Sequence, residues 1–477
     1  MEQLPLQKLK IIIMKKILLS ISVVLVSLIS MANNITVTAA TLSGQNVVAH
    51  TEIINFSVAW ENSWRTSINE SNYDGAWIFV KYRRLTGTAD WRHCTLNIAG
   101  SVVGAGGTMT VQNDLKGAFI NRTADGIGNV SYAVNQLVWN YGADGVADNE
   151  TVEIRVFGLE MVYIPTGAFQ IGSGGAEVVP FKTGATAVPY NVTAAAITFG
   201  TTGTNLNTNG IGPATGTLPA AFPTGYNAFW IMKYEATQQQ YVDFLNHLDL
   251  ARATPNNTPG IFTGVHPNLI APQPERAIGT IDQRRLAALA DWSGLRPYTE
   301  MEFEKVCRGA NIPPLPNEYV WGSTTLNQLT GVTNIGLANE AVSTPANANV
   351  DLGLYNFLSR AGIFARPAGS TRELSGAAYY GVMNMADNAA EVIITVVNPA
   401  GLAFDGSLNG DGYLDATGNS DQANWSNFNA YGIRGAAAFN PFANTNFVRT
   451  SDRSNASFYA NYQVFGGTGI RLARTAQ

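Results

Sequence analysis

Short alternating apolar runs fill residues 33–158, and they restrict this part of the chain to a strand-rich fold. The runs include IINFSVAW, AWIFVKYR and VEIRVFGL, and turn-forming segments such as NYDG and NYGADG lie between them. Short strands at this spacing predict an all-β domain, which we interpret as a β-sandwich over residues 33–158. Its tryptophans are expected in the core, with a carbohydrate-stacking platform as the alternative: Trp60, Trp64, Trp77, Trp91 and Trp139.

Length and charge set the broad class of the protein. The chain has 477 residues, of which 13% are charged, and its net charge is −5. This length predicts two or more domains. The sequence has no basic patch, so no nucleic-acid partner is expected. Low charge together with 47 glycines favours a secreted protein rich in strands and loops.

The two cysteines, Cys94 and Cys307, fall in different predicted domains. We therefore expect both to be buried small side chains, with a disulfide as the less favoured alternative. The four histidines are scattered and lack metal-ligand spacing, so no zinc or non-haem iron site is predicted: His50, His93, His247 and His266.

The N-terminus predicts export. Lys15 and Lys16 precede an apolar run over residues 17–29, and Ala32 ends a small-x-small cleavage site. This pattern is typical of a signal peptide over residues 1–32, in which residues 1–13 are an N-terminal extension. A membrane anchor is the alternative, although the apolar run is short for a span. We expect a secreted protein in the periplasm or at the cell surface, with no transmembrane span after cleavage.

Three helices are predicted in the second half of the chain. The first begins at Thr237, with Gln240 completing a capping box, and the second covers about residues 281–292. The third begins at Thr299, where Glu302 completes the same motif, and ends at Gly309. Its acidic residues, Glu300, Glu302 and Glu304, are better interpreted as a favourable helix start than as catalytic acids and bases. A long insertion is predicted between these helices and the N-terminal region, over residues 175–225.

Several ordered motifs resemble one family. They are MVYIPTGAFQIGS (161–173), FWIMKYEATQQQYVDFLN (229–246), LRPYTEMEFEKVCRGA (295–310), GVMNMADNAAE (381–391) and GTGIRLAR (467–474). Together they resemble the formylglycine-generating-enzyme, or sulfatase-modifying-factor, family. The resemblance implies an elaborated C-type-lectin-like domain over residues 159–477. The expected fold class is therefore α+β, with the N-terminal β-sandwich followed by this domain, in which Arg471 is expected to be buried and paired.

The same resemblance bears on activity. Enzymes of the family oxidise a substrate cysteine with O₂ and a Cu(I) ion held by two thiolates. Aligning the family pattern from Arg434 matches Arg449 and Arg453 to its later arginines, but puts Asn440 and Thr445 at the two copper-ligand positions. Neither side chain can supply a thiolate, which Cu(I) requires. We therefore expect no copper and no formylglycine-generating activity.

A structural calcium site of the family maps onto residues 383–391. The resemblance implies that Asn384 and Glu391 bind calcium by their side chains, and Asp387 and Ala389 by their backbone carbonyls. Spacing alone also fits a polar turn without metal. A second family site would draw on Asn349 and Val350, but its acidic ligand is not evident. A calcium-loop-like rhythm also occurs at Ser407, Asn409, Asp411, Gly412 and Asp415, where a plain solvated loop is the favoured interpretation.

These observations favour a non-catalytic protein that binds a ligand, either a protein or a glycan. The Asn-rich stretch 424–461 would supply polar contacts and aromatic anchors. One alternative is an enzyme of the same superfamily with an unidentified reaction. The other is a structural subunit of a surface assembly.

Overall fold

The computed structural model describes the chain from Asn34 to Gln477 with short gaps. The residues outside the description are 1–33, 39, 88–89, 311, 351–354, 356, 367–369, 424, 426–427, 440 and 459–465. The predicted signal peptide and Asn440 therefore lie outside the described residues. Among the residues described, no helix has the length and apolar character needed to cross a membrane.

The N-terminal part contains the longest strands. They are β1 (Thr36–Val37), β2 (Thr41–Asn46), β3 (Thr51–Arg65), β4 (Tyr73–Arg84), β5 (Arg92–His93), β6 (Gly107–Val111), β7 (Ala118–Arg122), β8 (Gly126–Trp139) and β9 (Val152–Ile164).

Shorter strands follow through the rest of the chain. They are β10 (Phe169–Ile171), β11 (Lys182–Thr183), β12 (Tyr190–Val192), β13 (Thr198–Phe199), β14 (Leu206–Asn207), β15 (Gly216–Thr217), β16 (Phe229–Met232), β17 (Thr263–Val265), β18 (Asn268–Ile270), β19 (Val332–Thr333), β20 (Ala341–Val342), β21 (Ala390–Ile394), β22 (Tyr431–Arg434), β23 (Thr468–Gly469) and β24 (Ala473–Thr475).

Helices are short. They are α1 (Gln238–Asn246), α2 (Leu250–Asn256), α3 (Gln283–Trp292), α4 (Glu300–Arg308), α5 (Arg372–Ser375) and α6 (Pro399–Leu402), with 3₁₀ turns at Phe428–Ala430 and Thr445–Val448. The predicted helix starts are confirmed, because the capping boxes of α1 and α4 are both formed. The fold is thus mixed α/β, with mostly strands and few helices.

One sheet runs through the predicted domain boundary at residues 158 and 159. Strand β9 crosses that point and pairs with β4 along its whole length. Its C-terminal half then pairs with β16, which in turn pairs with β24 near the C-terminus. The two parts of the chain therefore share a continuous sheet. This sheet is not interrupted at the boundary predicted from the sequence.

Strand β4 is buried on both faces. Ala76, Ile78 and Val80 pack in one core with the inward side chains of β3. Trp77 and Phe79 point the other way, into the core formed with the helices. This follows from the two-residue period of a strand, and it explains why AWIFVKY is apolar at nearly every position.

The core prediction is confirmed for three of the tryptophans. Trp60, Trp77 and Trp139 are at most 2% exposed, whereas Trp64 and Trp91 are part-buried. Both cysteines are free and buried, as expected. Residues 175–225 are more ordered than a plain loop, because they contain β11 to β15 and insert several aromatic side chains into the main core.

Candidate functional site

Helix α4 presents charged side chains to the interior. Glu300, Glu304 and Arg308 are spaced at i, i+4 and i+8, so they share one face of the helix. Two arginines approach that face, Arg434 from β22 and Arg453 from the segment after the 3₁₀ turn at Thr445–Val448. All of these side chains are at most 3% exposed. We refer to these five residues as the α4 charge network.

Ion pairs connect the α4 charge network. Arg453 Nε lies 2.7 Å from Glu300 Oε2, and Arg434 Nη2 lies 3.2 Å from Glu304 Oε1. Arg308 pairs with Glu304 and also with Glu318. The backbone N–H of Val396 donates to Glu300 Oε1 at 2.9 Å. These contacts therefore tie α4 to four other segments of the chain, which contain Glu318, Val396, Arg434 and Arg453.

The network holds the Glu300 carboxylate ionised. Burial alone would raise the pKa of Glu300, but Arg453 and then Arg434 outweigh it and lower that pKa below its usual range. A carboxylate held in this way is a poor proton acceptor. Glu302 closes the capping box with Thr299 and pairs with Arg296. The structural interpretation of these glutamates is thus supported.

The predicted calcium residues lie in the interior beside β21. Asn384 Oδ1 accepts the N–H of Gly362 at 3.0 Å, and its backbone carbonyl accepts a bond from Arg471 at 3.0 Å. Glu391 Oε1 accepts from Arg471 Nε at 2.6 Å, while Oε2 accepts from the Tyr298 hydroxyl. Arg471 is fully buried and paired, as predicted.

Glu235 belongs to this site, although the sequence did not single it out. Its two carboxylate oxygens accept from the Ala389 N–H at 2.9 Å and from Asn388 Nδ2 at 2.7 Å. Burial raises the pKa of Glu235 well above its usual range, against the lowering effect of Arg471. Glu235 lies in the KYEAT segment, which is one of the family motifs. The neighbouring sequence gives no indication that its partners, Asn388 and Ala389, lie more than a hundred positions away.

Two buried oxygens near this site have no hydrogen-bond partner among the described residues. They are Asp387 Oδ1 and Asn349 Oδ1, on side chains that are fully buried. The other Asp387 oxygen accepts from the Asn349 N–H at 2.8 Å. Burial raises the pKa of Asp387 to about 7.

The contacts of two predicted residues compete with calcium binding. Calcium requires six to eight oxygens, yet the side-chain oxygens of Asn384 and Glu391 already accept protein hydrogen bonds. The Arg471 guanidinium also occupies the place beside Glu391 where a cation would be attracted. The structure does not test calcium binding at Asn384, Asp387, Ala389 and Glu391, which stays a prediction.

The other sequence candidates do not assemble as the patterns suggested. Asp411 meets Asp291 and Asp421, with carboxylate oxygens within 4.8 Å of one another, whereas Asp415 accepts bonds from its own turn. Thr445 begins a 3₁₀ turn and is part-buried.

Comparison with known protein families places this chain in one of them. The chain belongs to the family described as the sulfatase-modifying factor enzyme 1-like domain, which matches residues 150–476. This confirms the resemblance and begins the domain slightly before the expected residue 159. A search of curated proteins gives no match.

From the α4 charge network, we expect Arg453 to contribute more to stability than the nearby Arg449. Arg453→Met should lower the free energy of unfolding by about 3–5 kcal/mol, because it removes the nearer of the two arginines from the buried Glu300 and leaves only Arg434, at 3.4 Å. Arg449→Met is the matched control, since Arg449 is part-buried and forms no ion pair in the described structure; it should cost under about 1 kcal/mol. Urea unfolding measures both, and equal losses would contradict the network.

From the hydrogen bonds around Asp387, we expect the protein to be stable without calcium. EDTA should leave the melting temperature unchanged. Asp387→Asn should raise the free energy of unfolding by about 1–2 kcal/mol at pH 8, because it removes a buried carboxylate whose ionisation opposes folding. Asp90→Asn, at an exposed position, is the control. A lower melting temperature in EDTA, together with destabilisation by Asp387→Asn, would instead establish calcium at this site.

Proposed function

We propose that this protein is an exported, non-catalytic binding protein in which the sulfatase-modifying-factor-like domain is a rigid scaffold for a protein or glycan ligand. The observation that carries the proposal is the state of the thiols. Cys94 and Cys307 are the chain's two cysteines, and they lie in separate hydrophobic cores. A copper site of the family's kind needs two thiolates side by side.

The chemistry of these thiols supports the same conclusion. Burial raises the pKa of Cys94 well above its usual range, and burial also raises that of Cys307. A buried thiol with a raised pKa is neither a good nucleophile nor a ready metal ligand. Thr445 offers a hydroxyl at one copper-ligand position, and Asn440 offers an amide at the other.

The scaffold offers concave surfaces that suit recognition. One is a cleft of about 830 Å³, whose walls come from residues 193–197 and 217–229 and from the loop at Asp405 and Ser407. These walls belong to the insertion and the connecting loops, where binding sites commonly lie on a rigid core. We also infer that residues 33–158 form the predicted β-sandwich, and that the signal peptide directs the chain to the periplasm or the cell surface.

The proposal predicts no formylglycine formation. The purified protein would be incubated with Cu(I), O₂ and a cysteine-containing sulfatase-type peptide, with an active family enzyme as the positive control. Mass spectrometry should show the peptide thiol unchanged by this protein and converted to an aldehyde by the control. Aldehyde formed at a comparable rate by this protein would overturn the non-catalytic role.

A further inference from the structure

A cavity of about 440 Å³ lies where the N-terminal strands meet the helices. One side of it comes from residues 34–37 and from residues 156–159 of β9. The other side comes from the segment 236–243, which includes the first turns of α1, and from the end of α3. Among the described residues, it shares none with the cleft of about 830 Å³. Its volume is typical of a small-molecule site.

Most of the buried residues that line this cavity are apolar. Phe79, Met232, Trp292 and Leu472 are at most 5% exposed. The rings of Phe79 and Trp292 meet edge to face with their centroids 5.3 Å apart, and Phe157 packs against both. An alkyl or aryl group placed against this aromatic wall would be removed from water, which favours binding.

The polar side of the cavity is acidic. Asp243 and Glu275 line it, and its described lining residues include no lysine, arginine or histidine. Both carboxylates are part-buried, as is Gln240, and Gln239 is exposed. The acidic side is therefore the side that reaches solvent, whereas the aromatic wall lies inside.

Neither of these two carboxylates forms an ion pair with a described residue. Asp243 Oδ1 accepts a hydrogen bond from Gln239 Nε2 at 2.9 Å, and burial raises the pKa of Asp243 to about 6. Burial also raises the pKa of Glu275, against the lowering effect of Arg360. At pH 8 Asp243 is thus a carboxylate that is partly withdrawn from water and has no counter-ion from the chain.

The basic groups in the surroundings are bound elsewhere. Arg360 Nε donates to the backbone carbonyl of Glu340 at 2.9 Å. The Lys81 ammonium lies 4.7 Å from the ring centroid of Trp292, but it donates to the backbone carbonyl of Gly412 at 2.8 Å and does not line the cavity. The positive charge that would balance the acidic side therefore has to come from a ligand.

We propose that this cavity binds a small primary amine, whose alkyl or aryl body lies against the aromatic wall and whose ammonium group lies beside Asp243 and Glu275. An ammonium group has three donors, and carboxylate oxygens accept them in charge-assisted hydrogen bonds. An anion would be repelled, and a neutral apolar molecule would leave the carboxylates without a partner. The charge and the apolar wall together select this class of ligand.

The amine site goes beyond the proposed scaffold role and does not depend on it. The two proposals also fail separately. Absence of amine binding would overturn this site alone, whereas aldehyde formation would overturn the non-catalytic role.

The test uses the purified full chain at pH 8 and four probes: phenylethylamine, hexylamine and their matched alcohols, phenylethanol and hexanol. Saturation-transfer NMR and calorimetric titration should show at least one amine bound, and bound at least about tenfold more tightly than its alcohol. Binding of neither amine, or equal affinity for the amine and its alcohol, would overturn the proposal.

Variants then locate the site. Asp243→Asn and Glu275→Gln should each weaken the amine by at least about threefold, and the double variant should bind the amine no better than the alcohol. Affinity for the alcohol should not change, because an amide keeps the shape of the carboxylate. Asp405→Asn is the matched control, since Asp405 is also part-buried but lines the other cleft. It should bind the amine as the wild type does.

The cavity variants are expected to fold. Asp243→Asn should raise the melting temperature at pH 8, because burial opposes the ionisation of Asp243. If one single variant does not fold, the other one decides. Unchanged amine affinity in every folded cavity variant, or equal weakening by Asp405→Asn, would overturn the proposal.

Discussion

The ion pairs of the α4 charge network hold the C-terminal half of the protein together. Glu300 and Glu304 are fully buried, so their charges are stable only while Arg308, Arg434 and Arg453 stay within ion-pair distance. Buried ion pairs contribute little net stability but strongly penalise arrangements that separate the partners. The network therefore fixes where β22 and the following turn lie relative to α4.

A second buried cluster joins the N-terminal region to the same body. Lys233, just after β16, pairs with Asp74 of β4 at 2.9 Å and with Glu160 of β9 at 3.0 Å. Burial lowers the pKa of Lys233, but Asp74 and Glu160 outweigh it and raise that pKa above its usual value. This cluster and the continuous sheet through β4, β9 and β16 join the residues on the two sides of the predicted boundary. The boundary therefore lies inside one packed structure.

Local features of the structure were readable from the sequence. The capping boxes at Thr237 and Thr299 depend on residues three positions apart, so the pattern contains the whole interaction. The buried state of Arg471 followed from the family resemblance. The sheet through β9 and the role of Glu235 were not predictable, because each depends on partners far away in sequence. The predicted calcium residues are neighbours in sequence, but the contacts of Glu391 with Arg471 and Tyr298 could not be anticipated from spacing.

The proposed scaffold role is consistent with the way the interior is packed. Buried charges such as Glu300 and Lys233 are paired, and both thiols are buried, which suits a rigid framework. The most direct test of the framework is a double-mutant cycle between Glu300 and Arg453. Glu300→Gln, Arg453→Met and the double variant would be compared with the wild type by urea unfolding. We predict a coupling energy of about 2 kcal/mol or more; additive losses, with coupling near zero, would contradict the claim that this buried pair organises the domain.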